Sequence, residues 1–433
     1  MFQSQNGKKG GKVVILGYDL GHRFAQISYC GMGETEPETV SAVTGTEQYN
    51  IPVALCKRPG VGQWYYGKEA VKFASQEGGI LVEDLLYLAE RGEDVMVEGE
   101  AFDPVALLTL FVKRSLSLLN IRLSLYQVEA FMFTVEDLTP RMVDVLTRVS
   151  GGLKLNAKSI CFQNHLESFC AYTLHQSSEL WAYDVVIFEY HTQMKILRLE
   201  CNRRTSPKVV LIDHREFPEV LRRVWSEDEE ECKRQKKELD ELFMHLAGKE
   251  LGTRDISTIF LLGDGFKEGW MKESLKLLCR NRRVFQGNNL YSKGACYAMM
   301  ERMNPSKEWK EYVYLGEDKL KSNIGMKALR RGENSYYAVL DAGTNWYEAG
   351  CDFDVILESG DEIEFMVTPL TGGNVTERGV KLPGLPDRPR GTTRLNIHVE
   401  MTAVDQVSVT IEDLGFGELF PSSGKAWSCV IQV

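Results

Sequence analysis

Residues 379–413 read GVKLPGLPDRPRGTTRLNIHVEMTAVDQVSVTIED and decide how the rest of the chain is interpreted. A turn rich in glycine and proline at 383–391 leads into residues 395–401, where apolar and polar side chains alternate strictly. After a polar break at 403–406, the alternation resumes over 407–411. Alternation with period two is typical of a half-buried strand, and two such runs around a short break predict an antiparallel pair. The sequence therefore predicts that the chain ends in β-structure.

The overall composition is that of an ordinary globular chain. Its 433 residues are enough for two or three domains, and 43% hydrophobic with 26% charged residues allow a sizeable core. The formal net charge of −10 argues against a general nucleic-acid binder, because attraction to phosphates needs a basic face. We therefore expect no nucleic-acid partner, although a local nucleotide pocket remains compatible with this charge.

Cysteine and histidine usage argues against a zinc site. The ten cysteines form no C-x-x-C pair, and the seven histidines show no metal-ligand spacing such as H-E-x-x-H. Cysteines scattered through apolar surroundings are typical of buried, reduced thiols.

The amino terminus and the hydropathy pattern predict a cytoplasmic protein without a membrane partner. Residues 1–12 are polar and rich in glycine and lysine, which predicts a flexible start. The apolar run that follows is too short for a signal-peptide core, and no segment approaches the length of a membrane span.

The pattern along the chain divides it into an α/β part and an all-β part. Strands and helices alternate over 13–304, with a helix expected at 103–120 and a long charged helix through 217–248. Residues 305–322 are polar and predict a linker. Over 323–433 only strand signals remain, which predicts a sandwich or small barrel.

Three glycine-containing stretches are candidates for ligand contact. The turn at 17–21 carries Asp19, which would place a carboxylate near Mg²⁺ and phosphate, although a plain hairpin turn gives the same pattern. The turn at 262–266 follows an apolar strand, and its glycines would let a base or sugar approach the backbone. The small residues at 292–295 lie in a predicted helix and indicate close packing, with ligand contact as the alternative.

The order of these motifs resembles the seventy-kilodalton heat-shock chaperones, which belong to the actin-like ATPase superfamily. The resemblance covers nearly the whole chain and is most specific in the opening stretch. The other stretches that carry it are GYDLGHRFAQISYC at 17–30, FDPVALLTLFVKRSL at 102–116, ESFCAYTL at 167–174, IFLLGDGF at 259–266 and SKGACYA at 292–298.

This resemblance implies a two-lobed actin-like ATPase of ribonuclease H-like fold over 13–304, followed by an all-β sandwich at 323–433. It also implies ATP or ADP with Mg²⁺ as the cofactor and a protein or extended peptide as the client. The implied site residues are Asp19 and Glu189 for catalysis, with Asp19 also as metal ligand; Gly21, His22, Arg23, Gly263, Asp264, Gly265, Glu230 and Lys233 for the nucleotide; and Leu382, Leu385, Phe416 and Phe420 for the peptide.

Several departures from the family pattern point to a degenerate nucleotide site. His22 and Arg23 stand where the family has hydroxyl residues, and the segment 188–192 lacks the glycines of a second phosphate loop. The stretch before Asp103 lacks the catalytic lysine, and the chain stops at Val433 without a helical lid. Because phosphoryl transfer depends on positioning and electrostatics, these losses predict a pseudo-ATPase, with no bound cofactor as one outcome.

Two residue sets keep alternative interpretations. Glu230 and Lys233 have the spacing that the family uses beside adenine, but they lie in a charge run that also fits a solvated helix face. Arg23 fits either an anion ligand or a salt bridge to Glu189 that would lock an empty cleft.

The sequence favours a chaperone-like, lidless protein that binds a protein or peptide through its sandwich. Apolar residues that would line the groove if exposed are Leu382, Leu385, Phe416 and Phe420, and packing in the core or within loops is the alternative interpretation of all four. An active but divergent Mg²⁺-dependent ATPase chaperone is the first alternative. A structural scaffold that polymerises like actin is the second. A sugar kinase shares the ATPase fold, but the linker and the sandwich do not fit it.

Overall fold

The computed structural model describes residues 14–31, 33–43, 45–121, 124–155, 157–252, 254–287, 289–330 and 332–433. The predicted flexible start at 1–12 lies outside these residues. The chain forms two compact units. Unit 1 comprises the described residues up to Glu200 together with Ile212–Trp309, and unit 2 comprises Cys201–Leu211 and Lys310–Val433.

The first half of unit 1 is built from short strands and helices of at most 14 residues. Its strands are β1 (Val14–Leu20), β2 (Phe24–Gly31), β3 (Glu38–Thr39), β4 (Ile51–Pro52), β5 (Leu55–Lys57), β6 (Trp64–Tyr66), β7 (Ile80–Val82), β8 (Val95–Val97), β9 (Glu100–Phe102), β10 (Val128–Val135) and β11 (Ser159–Asn164). Its helices are α1 (Gly67–Glu77), α2 (Leu85–Arg91), α3 (Pro104–Leu116), α4 (Pro140–Leu153) and α5 (His165–Leu174).

The main sheet of this half has the order β11-β10-β1-β2-β3, and β4 pairs with β2. Strand β1 is parallel to β10 and antiparallel to β2, and β10 is parallel to β11. Every residue of β1 is buried, because the strand lies at the centre of the sheet. The carboxyl ends of β1, β10 and β11 therefore meet at one edge.

The second half of unit 1 follows the same plan. Its elements are β12 (Asp184–Tyr190), β13 (Gln193–Asn202), β14 (Lys208–Leu221), α6 (Glu229–Leu251), β15 (Ile256–Leu262), α7 (Glu273–Leu278), β16 (Arg283–Gln286) and α8 (Leu290–Met303). The strand order is β16-β15-β12-β13-β14. Strand β12 is parallel to β15 and antiparallel to β13, and β15 is parallel to β16.

Helix α8 packs directly on the backbone of its neighbours. A Cβ atom on Gly17 would lie 2.2 Å from the carbonyl oxygen of Ser292, and a Cβ on Gly294 would lie 1.9 Å from that of Ser168. Close packing at 292–295 is confirmed. Because Gly17 serves this contact inside β1, the predicted turn at 17–21 is wrong, and the chain turns at 21–23 instead.

The long helix predicted through 217–248 is also wrong in its first part. Strand β14 continues to Leu221, since Pro218 would interrupt a helix. Helix α6 begins only after Asp228, whose carboxylate accepts the backbone N–H of Glu231 at 2.8 Å. Helix α3 begins as predicted, with Asp103 as its cap and Pro104 at its first position.

Unit 2 is all-β apart from a short 3-10 turn. Its elements are the start of β14, β17 (Tyr312–Tyr314), β18 (Ser322–Arg330), β19 (Glu333–Leu340), β20 (Gly350–Leu357), β21 (Glu362–Pro369), β22 (Thr376–Lys381), β23 (Thr393–Ala403), β24 (Gln406–Gly415) and β25 (Ala426–Gln432). The segment predicted as a linker, 305–322, contains β17, which pairs in parallel with Lys208, Val209 and Val210.

Within the described residues, unit 2 contains two four-stranded sheets, β19-β18-β21-β22 and β20-β23-β24-β25. Strands β23 and β24 are antiparallel with the predicted alternation, so their pairing is confirmed. The alternate side chains of both sheets form one apolar core, to which Phe365, Ile397 and Val409 contribute without exposed surface. No helix in the described part of the chain is long and apolar enough to cross a membrane.

Candidate functional site

A cavity of about 330 Å³ lies in unit 1 where the parallel strands of its sheets end. Asp19, Glu136 and His165 come from the ends of β1, β10 and β11 or directly after them. Glu189 is the last residue but one of β12, and Gly263 directly follows β15. The carboxyl ends of parallel strands are the usual place for a ligand in α/β folds. Of the predicted site residues, the lining includes Asp19, Gly21, His22, Arg23, Glu189, Gly263 and Asp264.

Asp19 is engaged by a partly buried histidine that the sequence interpretation missed. The Nε2 atom of His165 lies 2.8 Å from Oδ1 of Asp19. The imidazole stacks on the ring of Tyr291 at 4.0 Å between ring centres. Burial opposes a charge on His165, but Asp19, Glu189 and Glu136 outweigh it, so that the pKa of His165 is raised. A histidine placed directly after the strand 159–164 was the available signal.

Glu189 is held by a second histidine and by Tyr291. Nε2 of His191 lies 3.5 Å from the Glu189 carboxylate, and the Tyr291 hydroxyl donates to that carboxylate at 3.3 Å. Burial raises the pKa of Glu189, yet the His191 contact and the nearby His165 lower it below the ordinary value. The pKa of His191 is raised, since its carboxylate partners outweigh the opposing effect of burial.

Asp264 completes this network on the other side of His191. Its Oδ1 lies 3.2 Å from Nδ1 of His191, and its Oδ2 lies 2.8 Å from a guanidinium nitrogen of Arg222. Burial acts to raise the pKa of Asp264, but these two partners lower it. Lys195 forms an ion pair with Glu136 nearby. Each of the four carboxylates at the cavity therefore already has a cationic or ionisable partner.

The glycines of the turn at 262–266, where a base or sugar was expected to approach the backbone, pack against Tyr190 instead. Gly263 has φ +103°, and a Cβ there would lie 2.3 Å from the carbonyl oxygen of Tyr190. A Cβ on Gly265 would lie 2.5 Å from the Tyr190 ring. Tyr190 is buried, and its hydroxyl donates to the carbonyl of Leu221 at 2.9 Å. The side of this loop that faces Tyr190 is thus filled, and Gly265 is not among the described residues that line the cavity.

Two cations at the cavity keep their charge free for a ligand. Arg23 forms no ion pair with any described residue, and its guanidinium lies 5.4 Å from the Phe24 ring centre. The salt bridge from Arg23 to Glu189, one of two predicted alternatives, is therefore not formed. Lys267 also lines the cavity without an ion pair to a described residue.

Glu230 and Lys233 lie outside the described lining of the cavity. They form an ion pair of 3.0 Å at the start of α6, and both side chains are mostly exposed. This geometry fits the solvated helix face rather than a contact to adenine.

The predicted peptide-binding residues in unit 2 fall into two groups. Leu382 has no exposed surface, so the prediction that it lines an exposed groove is wrong. Leu385 is half-buried and packs against the core. Leu382 and Leu385 follow β22 and cover the core edge, which explains their burial. Phe416 is 42% exposed and forms a bridge with Phe420 in the loop between β24 and β25. The same loop exposes Leu419 to 86%, a residue that the sequence interpretation missed.

This loop, residues 416–425, is held in place by a buried ion pair. The guanidinium of Arg388 donates two hydrogen bonds of 2.7 Å to the carboxylate of Asp413, and both side chains are nearly inaccessible. The carboxylate also accepts the backbone N–H groups of Gly415 at 2.9 Å and Ser423 at 2.8 Å. Arg388 reaches further to the carbonyl of Pro421 at 2.9 Å. The pKa of Asp413 is held well below its usual range, chiefly by Arg388.

No group of three or more His, Cys, Asp or Glu side chains in the described ranges is arranged to hold a metal ion. The histidine contacts of Asp19 and Glu189 lie where a divalent cation would need free carboxylate oxygens.

Two family models match most of the chain. The model described as "Family of unknown function (DUF5716) C-terminal" matches residues 36–317, which is more than half of the sequence. The chain belongs to this family. Residues 319–433 match the model described as "Domain of unknown function (DUF8552)". The DUF5716 and DUF8552 matches meet between residues 317 and 319, inside the segment predicted as a linker. No curated protein matches the chain.

Proposed function

We propose that this member of the DUF5716 family is a heat-shock-70-like, chaperone-like binding protein that recognises a protein or extended peptide through unit 2. The proposal rests on the loop 416–425, which exposes Phe416 and Leu419 to solvent. Large apolar side chains exposed side by side are typical of interaction sites. The Arg388–Asp413 pair fixes the loop before binding, and this lowers the entropy lost when a partner is bound.

The repeated topology of unit 1 supports the proposed actin-like fold. In each half the central strand is flanked by a parallel strand on one side and an antiparallel strand on the other. The spatial order places the fifth, fourth, first, second and third main strands next to one another in both halves. A duplicated arrangement of this kind is what the resemblance to the chaperones implies.

The cavity of unit 1 supports the pseudo-ATPase part of the proposal, since its residues do not fit Mg²⁺ and ATP. Mg²⁺ needs free carboxylate oxygens in a near-octahedral arrangement. Here Asp19 faces His165 and Glu189 faces His191, both of which have raised pKa values. Tyr190 packs against one side of the turn at 262–266, which was expected to contact a base or sugar.

Binding of an anion without turnover is the second candidate function of this cavity. Arg23 and Lys267 favour it, since both line the cavity and neither pairs with a described acidic residue. Titration calorimetry with ATP, with and without magnesium, tests this candidate. Heat that is independent of magnesium and lost in Arg23→Gln supports it, and the absence of heat contradicts it.

The main proposal is tested by binding of an unfolded client. Fluorescein-labelled, reduced and carboxymethylated α-lactalbumin serves as the probe, and its fluorescence anisotropy is followed as the full chain is added. The double variant Phe416→Ser/Leu419→Ser removes the exposed apolar pair and should weaken binding about tenfold or more.

The matched control is Val375→Ser, which removes a half-exposed apolar side chain elsewhere in unit 2. It should bind the probe as the unmodified chain does. Equal affinity of the loop variant and the control, with both folded by circular dichroism, would contradict the assignment of binding to this loop.

A further inference from the structure

Unit 1 has a second open cavity of about 860 Å³ at the end opposite to the candidate site. It lies where β12, β15 and β16 begin, so the sheet separates it from the carboxyl ends of these strands. Its walls combine residues before β12, residues around the start of β15 and the turn between α7 and β16. We call it the arginine depression after four of its lining residues, which are Arg254, Arg280, Arg282 and Arg283.

The charges of the arginine depression are only partly compensated. Arg254 pairs with Glu200 and lies 3.8 Å from Asp184, and Arg283 pairs with Glu179 at 3.1 Å. Arg280 and Arg282 form no ion pair within the described residues, and Asp255 is the acidic lining residue that remains to oppose them. Two free guanidinium groups thus face one carboxylate on a chain whose net charge is −10.

The turn that carries the free arginines is anchored to the preceding helix. The backbone N–H of Cys279 donates to the carbonyl of Leu275 at 3.0 Å, and that of Arg280 donates to Leu277 at 3.3 Å. Asn281 adopts a left-handed conformation with φ +57° between the two arginines. The backbone of Arg280 is therefore held by the end of the helix, and the side chain of Arg280 is exposed while that of Arg282 is half-buried.

The remaining walls supply apolar and aromatic surface. Ala182, Ile256 and Leu277 line the depression, and the ring of Tyr183 is 62% exposed at its edge. Guanidinium groups bind phosphate through paired charge-assisted hydrogen bonds, and an open ring offers a surface for the organic part of a ligand.

We propose that the arginine depression binds a small organic phosphate through Arg280 and Arg282, with Tyr183 in contact with its organic part. This site is separate from the cavity at Asp19 and does not depend on the function proposed for unit 2.

Titration calorimetry of the full chain with inorganic pyrophosphate tests the phosphate part of the proposal. The double variant Arg280→Gln/Arg282→Gln should weaken binding about tenfold or more, because it removes charge-assisted hydrogen bonds. The matched control is Arg378→Gln/Arg394→Gln, which removes two exposed arginines of unit 2 that form no ion pair with described residues. It should leave the affinity within about twofold of the unmodified chain, since neither residue lines the depression.

A second measurement tests whether the ligand binds in the arginine depression. Cys279 is exposed and lines the depression, so that bound pyrophosphate should slow its alkylation by a maleimide. Arg23→Gln distinguishes the two cavities, because heat from pyrophosphate bound at the cavity of Asp19 is lost in this variant, whereas the protection of Cys279 persists. The proposal is overturned if pyrophosphate gives no heat, if the depression variant and the control bind equally, or if Arg23→Gln rather than the depression variant abolishes binding.

Discussion

His165 interacts electrostatically with carboxylates from both halves of unit 1 at the cavity. Its imidazole forms a hydrogen bond with Asp19 from the first half, and the charge of Glu189 from the second half raises its pKa further. Its ring is held in place by stacking on Tyr291, and Tyr291 also donates to Glu189. A protonated His165 therefore stabilises two carboxylates that would otherwise repel each other in a buried place.

The variant His165→Gln should show a pH-dependent loss of stability. Because the folded pKa of His165 is raised, its contribution is complete below the unfolded pKa of about 6.5 and is lost as pH rises through the folded pKa. The difference in unfolding free energy from the unmodified chain should be larger at about pH 5.5 than at about pH 9. Urea unfolding at both pH values measures it.

Exposed His214 provides the control, since His214→Gln removes an imidazole outside this network. A loss for His165→Gln that is the same at both pH values would show that its charge does not stabilise the site.

Gly263 gives a second prediction at the scale of a single residue. Gly263→Ala should destabilise the chain by about 3 kcal/mol, since it combines an unfavourable positive φ with a Cβ forced against the Tyr190 backbone. Gly62→Ala, whose added Cβ meets open space, is the control. Chemical unfolding measures both, and an unaffected Gly263→Ala would mean that Tyr190 is free to move away.

At the scale of elements, the hairpin of β24 and β25 depends on one polar group beneath its loop. Asp413 ends the alternating run of β24 and turns inward, where Arg388 from the Pro-rich turn reaches it. Lys425 and Trp427 donate to the carbonyls of Gly384 and Pro383 in the same turn. The turn and the hairpin are therefore one structural element, although more than twenty residues separate Arg388 from Asp413 in sequence.

Breaking this pair should loosen the element. Asp413→Ala leaves the Arg388 charge buried without a partner and should destabilise the chain by about 3–5 kcal/mol. Glu358→Ala breaks the more exposed pair with Arg390 and should cost about 1 kcal/mol or less. Urea unfolding followed by tryptophan fluorescence compares the two variants, and equal small losses would contradict the role of Asp413.

The pH dependence of this element has the opposite sign to that of His165. The depressed folded pKa of Asp413 means that its contribution is present above the unfolded value of about 3.9 and is lost as pH falls through the folded pKa.

Local patterns predicted the elements better than the contacts among them. The alternation over 395–411 was sufficient for β23 and β24, and Asp103 with Pro104 was sufficient for the start of α3. The charged run misled the prediction at 217–221, where β14 continues because a strand is stabilised by partners distant in sequence. For the same reason the sequence indicated Asp19 and Glu189 but not His165, Tyr291 or Glu136, which only the packing of several strand ends brings together.

At the scale of the whole molecule, we propose a binding function for unit 2 and no efficient hydrolysis by unit 1. The full chain should therefore show no magnesium-dependent ATP turnover above that of Asp19→Ala, since Asp19 and Glu189 are already engaged by histidines. Release of phosphate, measured with and without magnesium, checks this. Turnover that Asp19→Ala abolishes would instead support the divergent ATPase.

The contact of α8 with the bare backbone of Gly17 has a consequence for slow motions. With no side chain between them, β1 cannot separate from α8 without opening the central sheet to water. Amide hydrogens of β1 and of the middle of α8 should therefore exchange with deuterium at similar, slow rates, and Gly17→Ala should accelerate both together. The strand that carries Asp19 would then belong to the last part of the chain to open.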